Sequence, residues 1–365
     1  MGKERNLAHL VINASEIGRQ RGGNETYLAG LIEGLAELDL STRVSLLTCD
    51  WAKPLDLPST FQQVNLGPYR RLPFLLWQQT SALRRLEADW YLSTFFLPFT
   101  SPCREAVLIH DLSFRAHPEY FPLVVAAYMR LLTGLAIRRA DRVVALSEYT
   151  LRELAHYHPR SVDKAVRVYP GLSPVFHPQP GPDEQERLQY YGLNPGYILA
   201  MGNIHPRKNL SRLLDAYLHL REHRSSVPEM VWVGAPRWGS HESLRRARSA
   251  GVMLTGFVAQ EDLPALYRGA RMLVYPSLYE GFGLPPAEAM ACATPVITSN
   301  TTSLPEVVGE AALTVDPMDA RAIAAAIAGL LDDPALRKEL SEAGIERSQR
   351  YTWPRAAQHL LAALQ

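Results

Sequence analysis

Short apolar runs rich in β-branched residues alternate along this chain with longer stretches of helical period. The run His9 to Asn13 leads through a glycine-rich loop into a helical stretch near Glu25 to Leu38, and Val44 to Cys49 follows. Further strands are expected at Trp90 to Ser93, Val107 to His110, Val143 to Leu146 and Val166 to Tyr169. Helices are expected near Leu72 to Leu86, Pro122 to Arg139 and Tyr149 to His158. Pro170, Gly171, Pro174, Pro178, Pro180, Gly181 and Pro182 then form the densest group of breakers, which reads as a linker. A second alternating series follows, with strands at Tyr197 to Met201, Met230 to Val233, Val252 to Leu254, Met272 to Tyr275 and Pro295 to Thr298. Between them lie helices at Leu210 to Arg221, Glu242 to Ser249 and near Asp262 to Tyr267, and the tail is helical over Ala320 to Leu331, Pro334 to Ser348 and Trp353 to Leu364. Such alternation predicts an α/β protein with two doubly wound parallel sheets, residues 1–175 and 176–350. Ligands of such sheets bind at the carboxyl ends of the strands, so a site is expected in a cleft where the two domains face one another.

Composition narrows the class. At 365 residues, 47% hydrophobic and 21% charged, the chain is long enough for two cores. Its formal net charge is +1, made of +3 up to residue 175 (20 basic, 17 acidic) and −2 after it (18 basic, 20 acidic), which argues against a nucleic-acid partner in either half. Cys49, Cys103 and Cys292 are odd in number, far apart and without metal-ligand spacing, so free thiols in a reducing, cytoplasmic compartment are expected. The N-terminus lacks a signal-type apolar core, and Arg130 interrupts the most apolar long run, Phe121 to Ile137; neither secretion nor a membrane span is expected.

The richest chemistry lies at Tyr279-Glu280-Gly281-Phe282-Gly283-Leu284-Pro285-Pro286-Ala287-Glu288, where two carboxylates stand eight positions apart with no other charge between them. On one continuous helix they would lie about 12 Å apart along the axis, too far to share a proton. Pro285 and Pro286 suit the first turn of a helix beginning near Leu284, which leaves Glu280 in the loop before it. The amides of Gly283 and Leu284 would then form an anion hole between the two acids. Carboxylate, anion hole and carboxylate in a row fit a ligand with hydroxyls at both ends and phosphates between, as in a nucleotide sugar. Taken alone, Glu280 and Glu288 also read as surface acids near a helix start.

Other segments bear on that choice. Gly22-Gly23 follows the first strand and permits close approach of backbone to a bound group, or forms a simple turn; it is not the G-x-G-x-x-G dinucleotide fingerprint. His110-Asp111 ends a strand, a position suited to an active site, with Asp111 either orienting the imidazole or capping the next segment. Ser147 reads as a helix N-cap. Gly202-Asn203-Ile204-His205-Pro206-Arg207-Lys208-Asn209 places two adjacent cations at a strand-to-helix turn, a diphosphate clamp in which Gly202 leaves room for the ligand; His205 reads as structural. Ser299 to Glu306 offers hydroxyls and a proline-started turn, or an N-capped short helix.

Together these segments resemble the retaining GT-B glycosyltransferases of the large E-x7-E family, glycosyl transferases group 1, over nearly the whole chain. The specific matches are Pro206 to Asn209 and the stretch from Tyr275-Pro276-Ser277 through Glu280 and Glu288 to Ser303-Leu304-Pro305-Glu306, with Gly22-Gly23 and His110-Asp111 in support. The resemblance implies a GT-B fold of two Rossmann-like domains, the first holding the acceptor and the second the donor. It implies a last helix, 351–365, crossing back to the first domain at Tyr351-Thr352-Trp353-Pro354. It further implies that Arg207 and Lys208 bind the donor diphosphate, Glu280 the donor-sugar hydroxyls and Glu288 the ribose. Gly283, Leu284, Gly22 and Gly23 would approach the phosphates, His110 the sugar, and Ser303 with Leu304 the nucleotide side. The expected reaction is metal-independent, cofactor-free transfer of a hexose, mannose favoured, from a GDP-mannose or UDP-glucose type donor to a saccharide or lipid-linked acceptor. A sugar-nucleotide epimerase or hydrolase and a non-catalytic nucleotide-binding protein remain the alternatives. The pairs Arg70-Arg71, Arg84-Arg85 and Arg138-Arg139 allow either peripheral contact with the inner face of a membrane or plain solvated helix faces.

Overall fold

The computed structural model describes residues 7–19, 22–53, 55, 57–236 and 241–365. The chain divides into two units, Met1–Gly171 with Tyr351–Gln365, and Leu172–Arg350. The division falls within the breaker-rich run, at Gly171/Leu172 rather than 175/176.

The first unit holds seven parallel strands: β1 (His9–Asn13), β2 (Arg43–Thr48), β3 (Phe61–Asn65), β4 (Trp90–Thr94), β5 (Arg104–Ile109), β6 (Arg142–Ala145) and β7 (Ala165–Arg167). Their order is β3-β2-β1-β4-β5-β6-β7, with helices α1 (Gly23–Ala36), α2 (Leu123–Arg139) and α3 (Glu148–Tyr157) among the crossovers. The central strand β1 is buried through His9 to Ile12, as a strand covered on both faces must be. β3 was not expected: it is an edge strand in which only Val64 is buried, so its residues show little of the apolar signal that marks the central strands. The stretch expected as one helix over Leu72 to Leu86 is a helical run, Arg71 to Arg85, widened to π geometry over Phe74–Gln78.

The second unit runs α4 (Glu184–Tyr190), β8 (Tyr197–Met201), α5 (Leu210–His223), β9 (Met230–Val233), α6 (His241–Ser249), β10 (Met253–Gly256), α7 (Leu263–Gly269) and β11 (Ala270–Tyr275). It continues through α8 (Leu284–Ala291), β12 (Val296–Ser299), α9 (Leu304–Val308), β13 (Leu313–Val315), α10 (Ala320–Asp332) and α11 (Pro334–Ser348). The strands are parallel in the order β10-β9-β8-β11-β12-β13. β13 extends the sheet beyond the expected last strand; at three residues it is too short to show a period. Asp319 and Asp333 cap α10 and α11 through their side chains, and Pro334 opens α11 where its missing N–H costs nothing. Trp232, 1% exposed, anchors a core of Ile198, Leu213, Met272, Ile297 and Ile327.

The last helix, α12 (Trp353–Leu364), belongs to the first unit and lies against α1. Trp353 sits in a groove that glycines keep open: a Cβ on Gly30 would stand 1.9 Å from its indole, and one on Gly34 2.3 Å from its backbone. Neither distance is possible for real atoms. The indole meets the Tyr27 ring edge-on at 5.5 Å between centroids, and Arg142 Nε donates to Ala363 O at 2.9 Å near the far end.

Gly→Ala in a helix normally stabilises by about 1 kcal/mol. Gly34→Ala is expected to reverse that sign, because the new methyl must displace α12, at a cost of about 1–3 kcal/mol. Gly329→Ala, in α10 with nothing among the described residues but its own helix backbone within 4 Å of the new atom, should keep the normal sign. Melting temperatures by circular dichroism should therefore fall for Gly34→Ala and hold or rise for Gly329→Ala.

Candidate active site

In a doubly wound sheet the strand order reverses at one point, and loops leaving the two strands there diverge to open a crevice. In the second unit that point lies between β8 and β11. Beyond β8, Gly202 takes φ +115°, and a Cβ there would lie 3.0 Å from Lys208 Cε, so glycine lets the lysine stem pass. The Arg207 amide donates to His205 Nδ1 at 3.3 Å within a single 3₁₀ turn, Pro206–Lys208. Asn209 adopts φ +61° and its side-chain amide donates to Pro276 O at 3.0 Å and Pro317 O at 2.7 Å. From β11 the Leu278 amide donates to Arg207 O at 2.7 Å, stitching the two loops together.

Their meeting point is Glu280. Arg207 Nη1 donates to Glu280 Oε2 at 2.9 Å and to Tyr279 O at 2.9 Å, and Lys208 Nζ to Glu280 Oε1 at 2.5 Å. The Ser277 hydroxyl reaches the same Oε1 at 2.6 Å and the Tyr275 hydroxyl at 2.9 Å, while Lys208 Nζ also bonds the Tyr275 hydroxyl. Burial alone would raise this carboxyl. Arg207 and Lys208 outweigh it and hold Glu280 down at about 2, so it is ionised at any ordinary pH. The resemblance assigns Glu280 and the two cations to different parts of a ligand; here they form one ion cluster, the carboxylate buried and both cations partly buried. Two cations against one carboxylate leave it a net charge of +1, suited to an anion.

Beside the cluster, Gly283 takes φ +110° and a Cβ on it would lie 2.6 Å from Leu304 Cδ2, so only glycine fits. Helix α8 begins at Leu284, and with Pro285 and Pro286 lacking N–H, the amide donors left at its first turn are Leu284 with the adjoining Gly283. Glu288 lies further along α8, 7% exposed, with Oε2 accepting from the Tyr267 hydroxyl at 2.7 Å. Burial without a cation pushes it up to about 7, only partly offset by that bond. The reading of Glu288 as a surface acid is therefore overturned by its burial. Ser303 donates to Glu280 O at 2.9 Å and Phe282 O at 2.8 Å, and the Leu304 side chain is fully buried against Gly283. Both side chains brace the loop that carries Glu280, so a ligand would meet this turn through its backbone.

In the first unit, Gly22 holds φ +95° and ψ −147°, a region open in practice to glycine alone, and Gly23 opens α1. His110 follows β5, 8% exposed, its ring centroid 5.2 Å from Tyr27 and 5.6 Å from Phe95. Among the described residues its Nε2 is buried without a hydrogen-bond partner, and burial drives the imidazole down to about 4 against the opposing pull of Asp111; it is neutral at pH 7. Asp111 takes the capping alternative: its Oδ1 accepts from the Ser113 amide at 2.9 Å and hydroxyl at 2.6 Å. Ser147 caps α3 through the Thr150 amide at 3.0 Å.

Residues 186–347 match the family model of glycosyl transferases group 1, and residues 21–176 that of glycosyltransferase family 4. O-antigen chain mannosyltransferase B of Escherichia coli is 36% identical over 266 residues, spanning 71% of this chain and 69% of that protein. The chain belongs to the glycosyl transferases group 1 family. Serotype-specific mannosyltransferase WbdA of Escherichia coli is 31% identical to this glycosyltransferase over 267 residues, 70% of this chain but 32% of that longer protein. Sucrose-phosphate synthase from Thermosynechococcus elongatus superposes with a TM-score of 0.78 over 97% of both chains at 20% identity, which shows the shared GT-B fold.

Several residues that shape this glycosyltransferase's site were given no role from sequence: Tyr275 and Ser277, which complete the shell of Glu280, Asn209, which locks the clamp turn, and Tyr267, the partner of Glu288. Tyr275, Ser277 and Asn209 stand within the segments that carry the family resemblance, whereas Tyr267, inside α7, gave no sequence signal. Far along α5, His219, Glu222 and His223 bring three possible metal-ligand atoms within 4.8 Å of one another at the helix end remote from Lys208.

The raised Glu288 carboxyl makes stability pH-dependent. Between its ordinary value of 4.5 and about 7 the folded state keeps a proton the unfolded chain has released, so this group lowers stability as pH rises through that window. Glu288→Gln should abolish that loss, up to about 3 kcal/mol at pH 8. Parallel melting curves of the two proteins from pH 4.5 to 8 should diverge upward in favour of Glu288→Gln.

Proposed function

We propose that this glycosyltransferase moves a hexose, mannose in preference, from a nucleotide-diphosphate sugar to a saccharide or lipid-linked acceptor, with retained anomeric configuration and without a metal ion. The observation that carries this reading is the Arg207-Lys208-Glu280 cluster at the strand-order reversal, beside the amides of Gly283 and Leu284. A net positive cluster next to a helix N-terminus suits a diphosphate, and a carboxylate that stays ionised suits sugar hydroxyls, which donate to it. The names of the mannosyltransferase relatives support mannose, with GDP-mannose the favoured donor.

Negative charge grows on the departing diphosphate during transfer, so its stabilisation dominates the barrier. Arg207, the more exposed of the two cations, and Lys208 supply that stabilisation, the task a divalent ion performs elsewhere. Glu280 accepts from the transferred sugar and Glu288 from the ribose, and neutral His110 is assigned to the sugar. The Gly22-Gly23 backbone and Gly202 give the phosphates room. A leaving phosphate oxygen takes the acceptor proton, so no side chain is assigned as nucleophile or general base.

Arg207→Ala is expected to lower transfer by about 10²–10³-fold while the circular dichroism spectrum is retained. Near wild-type transfer by that variant would remove the clamp assignment. Slow hydrolysis screened across GDP-, UDP-, ADP- and dTDP-sugars, with chelator present, should single out GDP-mannose. An epimerised sugar among the products would instead favour the epimerase reading.

A further inference from the structure

Two helical segments of the first unit carry apolar side chains on their outer faces. Along α2, Leu123 is 84% exposed, Val124 79% and Leu131 63%, and Leu135 continues the same side of the helix. In the run Arg71 to Arg85 the exposed positions are Leu72, Leu76, Trp77, Ser81, Arg84 and Arg85. Single exposed apolar residues are ordinary, but a connected set is not. These are connected: the Arg71 guanidinium lies 4.0 Å from the Tyr128 ring centroid of α2, the Phe99 amide donates to Leu75 O at 3.0 Å, and Arg139 at the end of α2 donates to Phe99 O at 2.9 Å. Phe99, 48% exposed, joins the patch.

The charge on these segments has one sign. Neither Arg71 to Arg85 nor Leu123 to Arg139 contains an aspartate or glutamate, in a chain whose net charge is only +1. Arg139 is neutralised by Glu105 at 2.7 Å. Arg70, Arg84, Arg85, Arg130 and Arg138 are exposed and, among the described residues, form no salt bridge. In a two-fold interface this face would meet itself, two acid-free arginine-bearing segments against the same two, with the exposed Glu87 and Asp141 lying only at their ends. An anionic bilayer answers both features, taking the apolar side chains into the headgroup boundary and the guanidinium groups onto lipid phosphates. No helix among the described residues is long and apolar enough to cross a membrane, so the contact is peripheral.

We propose that this arginine-rimmed apolar face of the first unit docks the protein onto an anionic membrane surface. It uses none of the residues assigned to the donor, so its test is independent of the glycosyl-transfer reading. The full-length protein is sedimented with vesicles of phosphatidylcholine alone or mixed with phosphatidylglycerol. It should pellet with the mixed vesicles at low salt and be released as salt rises. Arg84→Glu with Arg85→Glu, and separately Trp77→Ser with Leu131→Ser, should each weaken partitioning by at least about tenfold with melting temperature unchanged. Failure of the wild type to bind mixed vesicles, or equal binding by both double variants, would overturn the proposal. So would a concentration-dependent dimer, seen by sedimentation velocity, that either double variant dissolves, since the face would then belong to a second copy.

Discussion

A carboxylate that stays ionised inside the second unit is the constraint around which that half is organised. Removing such a charge from water costs several kcal/mol, and Glu280 bears it only because Arg207, Lys208, Ser277 and Tyr275 converge on its two oxygens. The donors come from the ends of β8 and β11, strands 70 or so positions apart in sequence that become neighbours only where the sheet order reverses. Asn209, Ser303 and Gly283 then follow as consequences, since each holds a loop that presents one side of the cluster. Strand order thus decides the local charge, and the local charge decides what class of ligand can be held.

The two glutamates of the E-x7-E stretch share a buried setting and behave oppositely. Glu280 is held far below the ordinary carboxylate range by two cations, whereas Glu288, with a tyrosine hydroxyl as its partner, is lifted to about 7. Near neutrality Glu280 is purely an acceptor, while Glu288, raised by burial, keeps its proton to higher pH than an ordinary carboxyl and can then donate as well as accept. The same separation of roles by environment appears at His110, which burial among Tyr27 and Phe95 keeps neutral. In the first unit, the groove that seats Trp353 is cut by glycines on α1, so the C-terminal helix is positioned by what those positions lack.

Overall neutrality conceals two local imbalances of different use. One is the small, partly buried excess at Arg207 and Lys208, where the reduced dielectric beside the buried Glu280 strengthens each interaction. The other is spread over exposed arginines of the Arg71 to Arg85 run and α2, where solvent screens each charge and only many acting with apolar contact have an effect.

Chain-local signals settled much of the architecture. The alternating runs, the breaker cluster and the start signals at Pro285 and Pro334 marked both sheets and their main helices, with β8, β9 and the last two helices placed at their observed bounds, because period and capping act within a few residues. The motif residues Arg207, Lys208, Glu280 and Glu288 were legible as a group, being charged or acidic at strand and helix ends. Tertiary structure decided the rest. β3 and β13 depend on a neighbouring strand for their existence, since a solvated edge shows no strong apolar pattern. The pairing of Glu280 with both cations, the burial of Glu288 against Tyr267 and the use of Ser303 as a brace depend on distances between elements. Sequence carries residue types and local periods; which charge meets which, and how dry the meeting place is, arises only when the strands take their order.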